Sequence, residues 1–227
     1  MGTQASVRAV VFDAYGTLFD VYSVGLLAEQ LFPGHGNALS VLWRDKQIEY
    51  THLTSMSGRY RPFWELTRSA LRYAAQRLAL PLTDAAESQL MNQYRHLSSF
   101  PENHGVLAEL ARRGVPAAIL SNGDPEMLGV GVKSAGLQDF IAHVLSVDAV
   151  RKYKTDPAAY ALGPQALGLP ARQILFVSSN CWDAIGATWY GYTTLWVNRQ
   201  GLPLEALDTE PTHTGTSLRD VLGFFPS

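Results

Sequence analysis

The hydrophobic positions of this chain change period along its length. Residues 7–12 form a short apolar run rich in β-branched side chains, which reads as a buried strand. The run ends in Asp13-Ala14-Tyr15-Gly16-Thr17, where Gly16 permits a tight turn. From about residue 21 to 98 the spacing is helical. Leu39, Leu42, Trp43, Tyr50 and Leu53 recur on one face, Pro33-Gly34 and Ser57-Gly58 mark breaks, and no strand pattern intervenes. After Phe100-Pro101, helix and strand alternate. Val106, Leu107, Leu110 and Ala111 form a helix face closed by Gly114. Residues 117–120 read as a strand entered through Pro116, and Asp124-Pro125-Glu126 carries the cap, first-turn proline and first-turn acid of a helix ending near Gly136. Further strands are expected at 141–145, 174–177 and 193–197. One helix opens at Thr155-Asp156-Pro157 and closes at Gly168-Leu169-Pro170, and another spans 183–190. No internal repeat or low-complexity segment interrupts this order.

Alternating strands and helices imply a parallel sheet covered by helices, a Rossmann-like α/β core. The all-helical stretch enters after the first strand, so it reads as an inserted cap. The expected division is a core of residues 1–20 and 99–227 with a cap of residues 21–98. Ligands of such sheets lie beyond the carboxyl ends of the strands. That rule selects Asp13, Ser121 and the loop from Ser178 to Asp183.

Composition narrows the function classes. Apolar residues make up 47% of 227 and charged residues 17%, a globular balance. Eighteen basic against 20 acidic residues give a net charge of -2 with no basic block, which argues against a nucleic-acid partner. The apolar runs fall short of the ~20 residues that cross a bilayer. The first residues lack the basic-then-apolar order of a signal peptide. Met1-Gly2-Thr3-Gln4-Ala5-Ser6 fits a loose myristoylation pattern, but a lone match to so short a pattern is weak. Cys181 is the single cysteine, which excludes an internal disulfide and favours a reducing cytoplasm.

Taken singly, the strand-end residues are ambiguous. Asp13 could be a turn cap, Ser121-Asn122-Gly123 a plain turn, and Lys154 a solvated charge. Ser178-Ser179-Asn180-Cys181-Trp182-Asp183 is less ordinary, with four polar side chains and an aromatic placed straight after an apolar strand. Together, Asp13, Ser121, Lys154 and Asp183 resemble the four motifs of the haloacid dehalogenase superfamily, over nearly the whole chain. Phosphatases of that superfamily carry a second acid two residues after the first, and Gly-Asp at the start of the fourth motif. This chain has Tyr15 and Ser178-Ser179 at those places. Magnesium takes oxygen ligands, usually carboxylates, so both changes argue against a magnesium phosphatase.

The chain is most similar in pattern to L-2-haloacid dehalogenases. The matching stretches are Phe12 to Leu18, Leu120 to Gly123, Tyr153 to Tyr160, Phe176 to Asp183 and, most diagnostic, Leu42-Trp43-Arg44-Asp45-Lys46-Gln47-Ile48-Glu49-Tyr50 in the cap. The resemblance implies hydrolysis of (S)-2-haloacids to (R)-2-hydroxyacids, without metal or other cofactor. Asp13 is the implied covalent nucleophile. Asp183 activates the water that hydrolyses the ester, with Lys154, Ser178 and Asn180 nearby. Ser121 and backbone amides around Tyr15 and Asn122 hold the substrate carboxylate. Arg44, Asn122 and Trp182 surround the leaving halide, and Thr17 and Tyr160 support the site from behind. Asp45 and Thr155 depart from the relatives' pattern, which often has Gln and Pro there. Asp45 adds a negative charge beside Arg44. Relatives of this kind are commonly homodimers. The rival readings are a magnesium-dependent phosphatase and a non-catalytic small-acid-binding relative.

Overall fold

The computed structural model describes residues 6–226, so most of the myristoylation pattern lies outside the described residues. Six parallel strands form one sheet in the order β3-β2-β1-β4-β5-β6: β1 is Ala9–Phe12, β2 Ala117–Ser121, β3 His143–Ser146, β4 Ile174–Ser178, β5 Thr193–Val197 and β6 His213–Gly215. Strands β1, β2 and β4 are buried throughout, which is why they read as continuous apolar runs without alternation. The order runs outward in both directions from β1 and β4, the arrangement that opens a crevice beyond the strand ends. Phe12 pairs with Ile119 on one side and Val177 on the other. Asp13, Ser121 and Ser178 therefore emerge at one rim.

Helices α1 (Gly25–Leu31), α2 (Gly36–Met56), α3 (Phe63–Arg77) and α4 (Asp84–Arg95) fill the stretch between β1 and the rest of the sheet. Helices α5 (Asn103–Arg112), α6 (Pro125–Ser134), α7 (Pro157–Leu167) and α8 (Cys181–Tyr190) alternate with the remaining strands. One apolar cluster runs from Phe12 and Leu18 through Tyr15 into Trp43, Phe63, Leu66 and Tyr94 of the helical insert. Trp43 packs within it as expected, with its Nε1–H donating to the Thr67 carbonyl at 2.8 Å. Truncating so buried an aromatic costs about 3–5 kcal/mol.

The insert is tied to the sheet on two sides. At the crossing point, an antiparallel bridge joins Phe19 to Ser99, and the Asn103 amide donates to the Leu18 carbonyl. Across the crevice, Tyr60 donates to Asp148 at 2.7 Å, Tyr153 donates to the Arg61 carbonyl at 2.6 Å, and Ser55 accepts the Tyr153 N–H. Asp124 belongs to this seam and corrects an expectation. It stands at the cap position of α6, but its side chain does not cap that helix. Its carboxylate accepts the N–H groups of Phe63 and Trp64, capping α3 of the insert instead.

Other differences are local. The first strand starts at Ala9 rather than Val7, and β3 is displaced to 143–146 because its ladder begins where His143 meets Ala118. Helix α6 stops at Ser134, two residues before Gly136 with its positive φ. Leu53, expected on the packed face of α2, is 49% exposed. Beside Leu39 and Trp43, the buried side of α2 carries Ser40, Arg44, Gln47, Thr51 and Ser55. Strand β6 has no apolar pattern and was not expected.

Candidate active site

Asp13 follows β1 directly, its N–H bonded to the Val177 carbonyl. Its carboxylate accepts three hydrogen bonds: Lys154 Nζ at 3.0 Å on Oδ1, and Thr17 Oγ1 and Asn180 Nδ2, both at 2.9 Å, on Oδ2. A carboxylate offers about four lone-pair directions, so one on Oδ1 is left over. Gly16 makes the turn behind it with φ +94, a conformation that favours glycine. Thr17 Oγ1 also accepts the Ser179 N–H, which joins the first loop to the fourth.

Lys154 is 1% exposed and lies between two carboxylates, 3.0 Å from Asp13 and 2.9 Å from Asp183. Burial alone would pull its pKa down, but the two acids outweigh that and hold it above its ordinary value. One ammonium is thus shared by two acids. Asp183 is raised to about 6, mostly by burial, with Asp13 adding to the shift and Lys154 opposing it. Tyr160 donates to Asp183 Oδ1 at 2.8 Å, and its own pKa is driven up by burial, so it stays a donor.

Arg44 reaches across from α2. One of its terminal nitrogens donates to Gln47 Oε1 at 2.8 Å, the other to the Tyr15 carbonyl at 3.1 Å and, more distantly, to Asn180 Oδ1. The residue is 7% exposed, yet it forms no ion pair among the described residues. Buried charges are normally paired, so this guanidinium sits ready for an anion. Asp45 does not serve it: that side chain is exposed at the rim of a wider neighbouring cleft. A small pocket of about 10 Å³ is lined by Asp13, Tyr15, Arg44, Thr51, Ser121, Asn122, Asn180 and Trp182, with Ile48 and Phe63 supplying apolar walls. Carboxylate, guanidinium and apolar wall therefore meet in one space.

The haloacid dehalogenase-like hydrolase model matches residues 7–191. The chain belongs to this family. It is 47% identical over 219 residues to an (S)-2-haloacid dehalogenase of Pseudomonas sp. (strain YL), covering 96% of this chain and 94% of that one. A crystal structure of an L-2-haloacid dehalogenase shares 62% identity and a TM-score of 0.96, covering 98% of this chain and all of that one. The Xanthobacter autotrophicus L-2-haloacid dehalogenase with chloropropionic acid covalently bound is 37% identical, with a TM-score of 0.88, over 95% of this chain and 96% of that one.

In this haloacid dehalogenase-like hydrolase, the residues singled out from sequence divide into three groups. Asp13, Tyr15, Arg44, Ser121, Asn122, Asn180 and Trp182 line the pocket. Thr17, Lys154, Tyr160 and Asp183 stand behind Asp13 in one hydrogen-bonded chain. Ser178 stands apart: its hydroxyl accepts the Asn180 N–H at 3.1 Å, and among the described residues it bonds neither Lys154 nor Asp183. Ser121 likewise accepts the Gly123 N–H, and Asn122 Oδ1 accepts the Lys154 N–H. A Cβ at Gly123 would lie 2.6 Å from the Tyr15 ring, so this turn requires glycine.

Sequence reasoning missed Gln47, which touches Arg44, and Arg199. Arg199 bonds Ser179 Oγ at 2.7 Å and the Thr17 carbonyl at 3.1 Å, and pairs with Glu102 at 2.9 Å. Gln47 carried a usable signal, being three residues from Arg44 on one helix. Arg199 lies in a loop after β5 with no pattern to mark it.

Proposed function

We propose that the chain hydrolyses (S)-2-haloacids to (R)-2-hydroxyacids and halide through an ester on Asp13. The observation that carries this reading is a buried carboxylate and an unpaired buried guanidinium lining one small pocket. Asp13 Oδ1 attacks C2 of the substrate, the carbon–halogen bond breaks, and the halide departs toward Arg44, Asn122 and Trp182. Ser121 and nearby backbone amides hold the substrate carboxylate. Water then attacks the ester carbonyl carbon of Asp13. Asp183, which lies outside the pocket lining, accepts one proton of the water and returns it to the departing hydroxyacid oxygen, and the second proton is released as Asp13 ionises again. Lys154 offsets the negative charge throughout, Asn180 and Thr17 aim the nucleophile, and Ser178 acts through the Asn180 backbone. Covalent catalysis of this kind needs a carboxylate stripped of water and aimed, which three fixed donors supply.

The donor set suits metal-free chemistry. Tyr15 stands where the magnesium enzymes carry their second acid, and the Arg199 guanidinium sits on Ser179, where they carry another. The reading extends to a core of residues 1–20 and 99–227, a cap of residues 21–98, a cytoplasmic location and a homodimer. Exposed Leu53 and Met56 at the end of α2 support the last. Among the described residues, no helix is long and apolar enough to cross a membrane.

A single turnover in heavy-oxygen water tests the mechanism. The label is expected in Asp13 and absent from the first hydroxyacid. Label appearing directly in the product would replace the ester with direct attack by water.

A further inference from the structure

We infer that Gln47 is a positioning residue that holds Arg44 against the pocket as an uncompensated cation. The inference rests on the reading of Arg44 as acceptor of the leaving halide. Gln47 is fully buried on α2, one turn beyond Arg44. Its environment fixes which way the amide faces. Thr67 donates its hydroxyl proton to the Phe63 carbonyl at 2.8 Å, so its oxygen must accept, and it accepts from Gln47 Nε2 at 2.6 Å. That choice turns Oε1 toward Arg44, at 2.8 Å, and toward the Tyr94 hydroxyl, at 3.0 Å. Every polar atom of the amide is thereby satisfied without water.

The chemistry of this acceptor matters as much as its place. A neutral amide oxygen orients a guanidinium while leaving its full charge for another anion. A carboxylate of the same shape would pair with Arg44 and withdraw that charge. Negative charge grows on the halogen only as its bond to carbon breaks, so a free cation favours the transition state over the bound substrate. Gln47 preserves that difference. Thr67 and Tyr94 act one step further out, by fixing Gln47.

Gln47→Glu is the decisive variant, because it keeps shape and the bond to Arg44 and adds a charge, while the Thr67 hydroxyl must turn from the Phe63 carbonyl to donate to the new carboxylate. Alkylation of Asp13 is expected to slow about 10-fold or more with a chloro substrate. The loss should be smaller with the bromo analogue, whose better leaving group needs less help, and inhibition by added bromide should weaken. Thr67→Val, which frees the amide to rotate, should move the chloride-to-bromide ratio in the same direction by a smaller factor, and it serves if the Glu variant fails to fold. A role in packing alone would lower the melting temperature and leave both the ratio and bromide inhibition unchanged, and that result overturns the proposal. Arg44→Lys separates the two layers. If it shifts the ratio while the folded Gln47 and Thr67 variants do not, only Gln47 loses its role. If it leaves the ratio and the rates near normal, the halide assignment of Arg44 falls as well.

Discussion

Replacing Lys154 with Met removes one charge from a buried group of three and keeps a side chain of similar length. The ammonium lies 3.0 Å from Asp13 and 2.9 Å from Asp183, all of it out of water. At an effective dielectric of ~20, each contact carries about 5 kcal/mol of gross attraction. Desolvation offsets most of this, and breaking a buried pair from one side usually costs about 3–5 kcal/mol net. In Lys154→Met, two carboxylates face each other without a cation, and one of them takes up a proton. Their folded-state pKa values then lie above the unfolded ones. Stability linked to that proton is present at low pH and is lost as pH rises through the raised value. Urea denaturation should therefore show a deficit of about 3 kcal/mol at pH 7 that narrows toward pH 5. Halide release in a single turnover should fall at least ~100-fold, since Asp13 loses its cation and the donor on Oδ1 and shares a proton with Asp183. A variant that alkylates within about threefold of the parent, with a deficit that does not change with pH, would refute the assignment of Lys154 as the shared counter-ion.

Three further outcomes are expected. Hydrolysis of the Asp13 ester should slow as pH is lowered, with an inflection no higher than about 6, because Asp183 accepts a proton only as a carboxylate; a rate that rises toward acid in rapid-quench experiments would contradict its role as base. Chiral analysis of the product from (S)-2-chloropropionate should give (R)-lactate, and retention or racemisation would exclude a single backside displacement. Activity should survive exhaustive chelation, since Tyr15 and Ser179 stand where the magnesium enzymes carry acids and Ser179 is held by Arg199; a loss restored by added magnesium would revive the phosphatase-like alternative.

The parts of this molecule legible in sequence are those governed by one local rule. Buried parallel strands show as apolar runs, and the ligand rule for such sheets then leads to Asp13, Ser121 and the loop of 178–183 without knowledge of any contact. On α2, hydrophobic spacing finds Leu39 and Trp43 but not the polar part of the buried stripe, Arg44, Gln47, Thr51 and Ser55, which faces the site and its supports. The same spacing misplaced Leu53. Asp124 has the local signature of a helix cap, yet Phe63 and Trp64, some 60 residues away, take its carboxylate. Arg199 is bonded to groups 182 and 97 positions distant, a separation that no local pattern encodes.

In the proposed mechanism, the sharing of one lysine by two acids also couples the two half-reactions. In the resting enzyme, Asp13 repels Asp183 and helps keep its pKa high. Esterification turns Asp13 into a neutral group. From that moment the ammonium belongs to Asp183 alone, and the repulsion that favoured its protonated form is gone. On that reading, the loss of the Asp13 charge favours the ionised form of Asp183 in the state where a water must be deprotonated. Hydrolysis restores the Asp13 charge and resets the balance. The proposed roles thus link the two steps through the charges of Asp13, Lys154 and Asp183 alone.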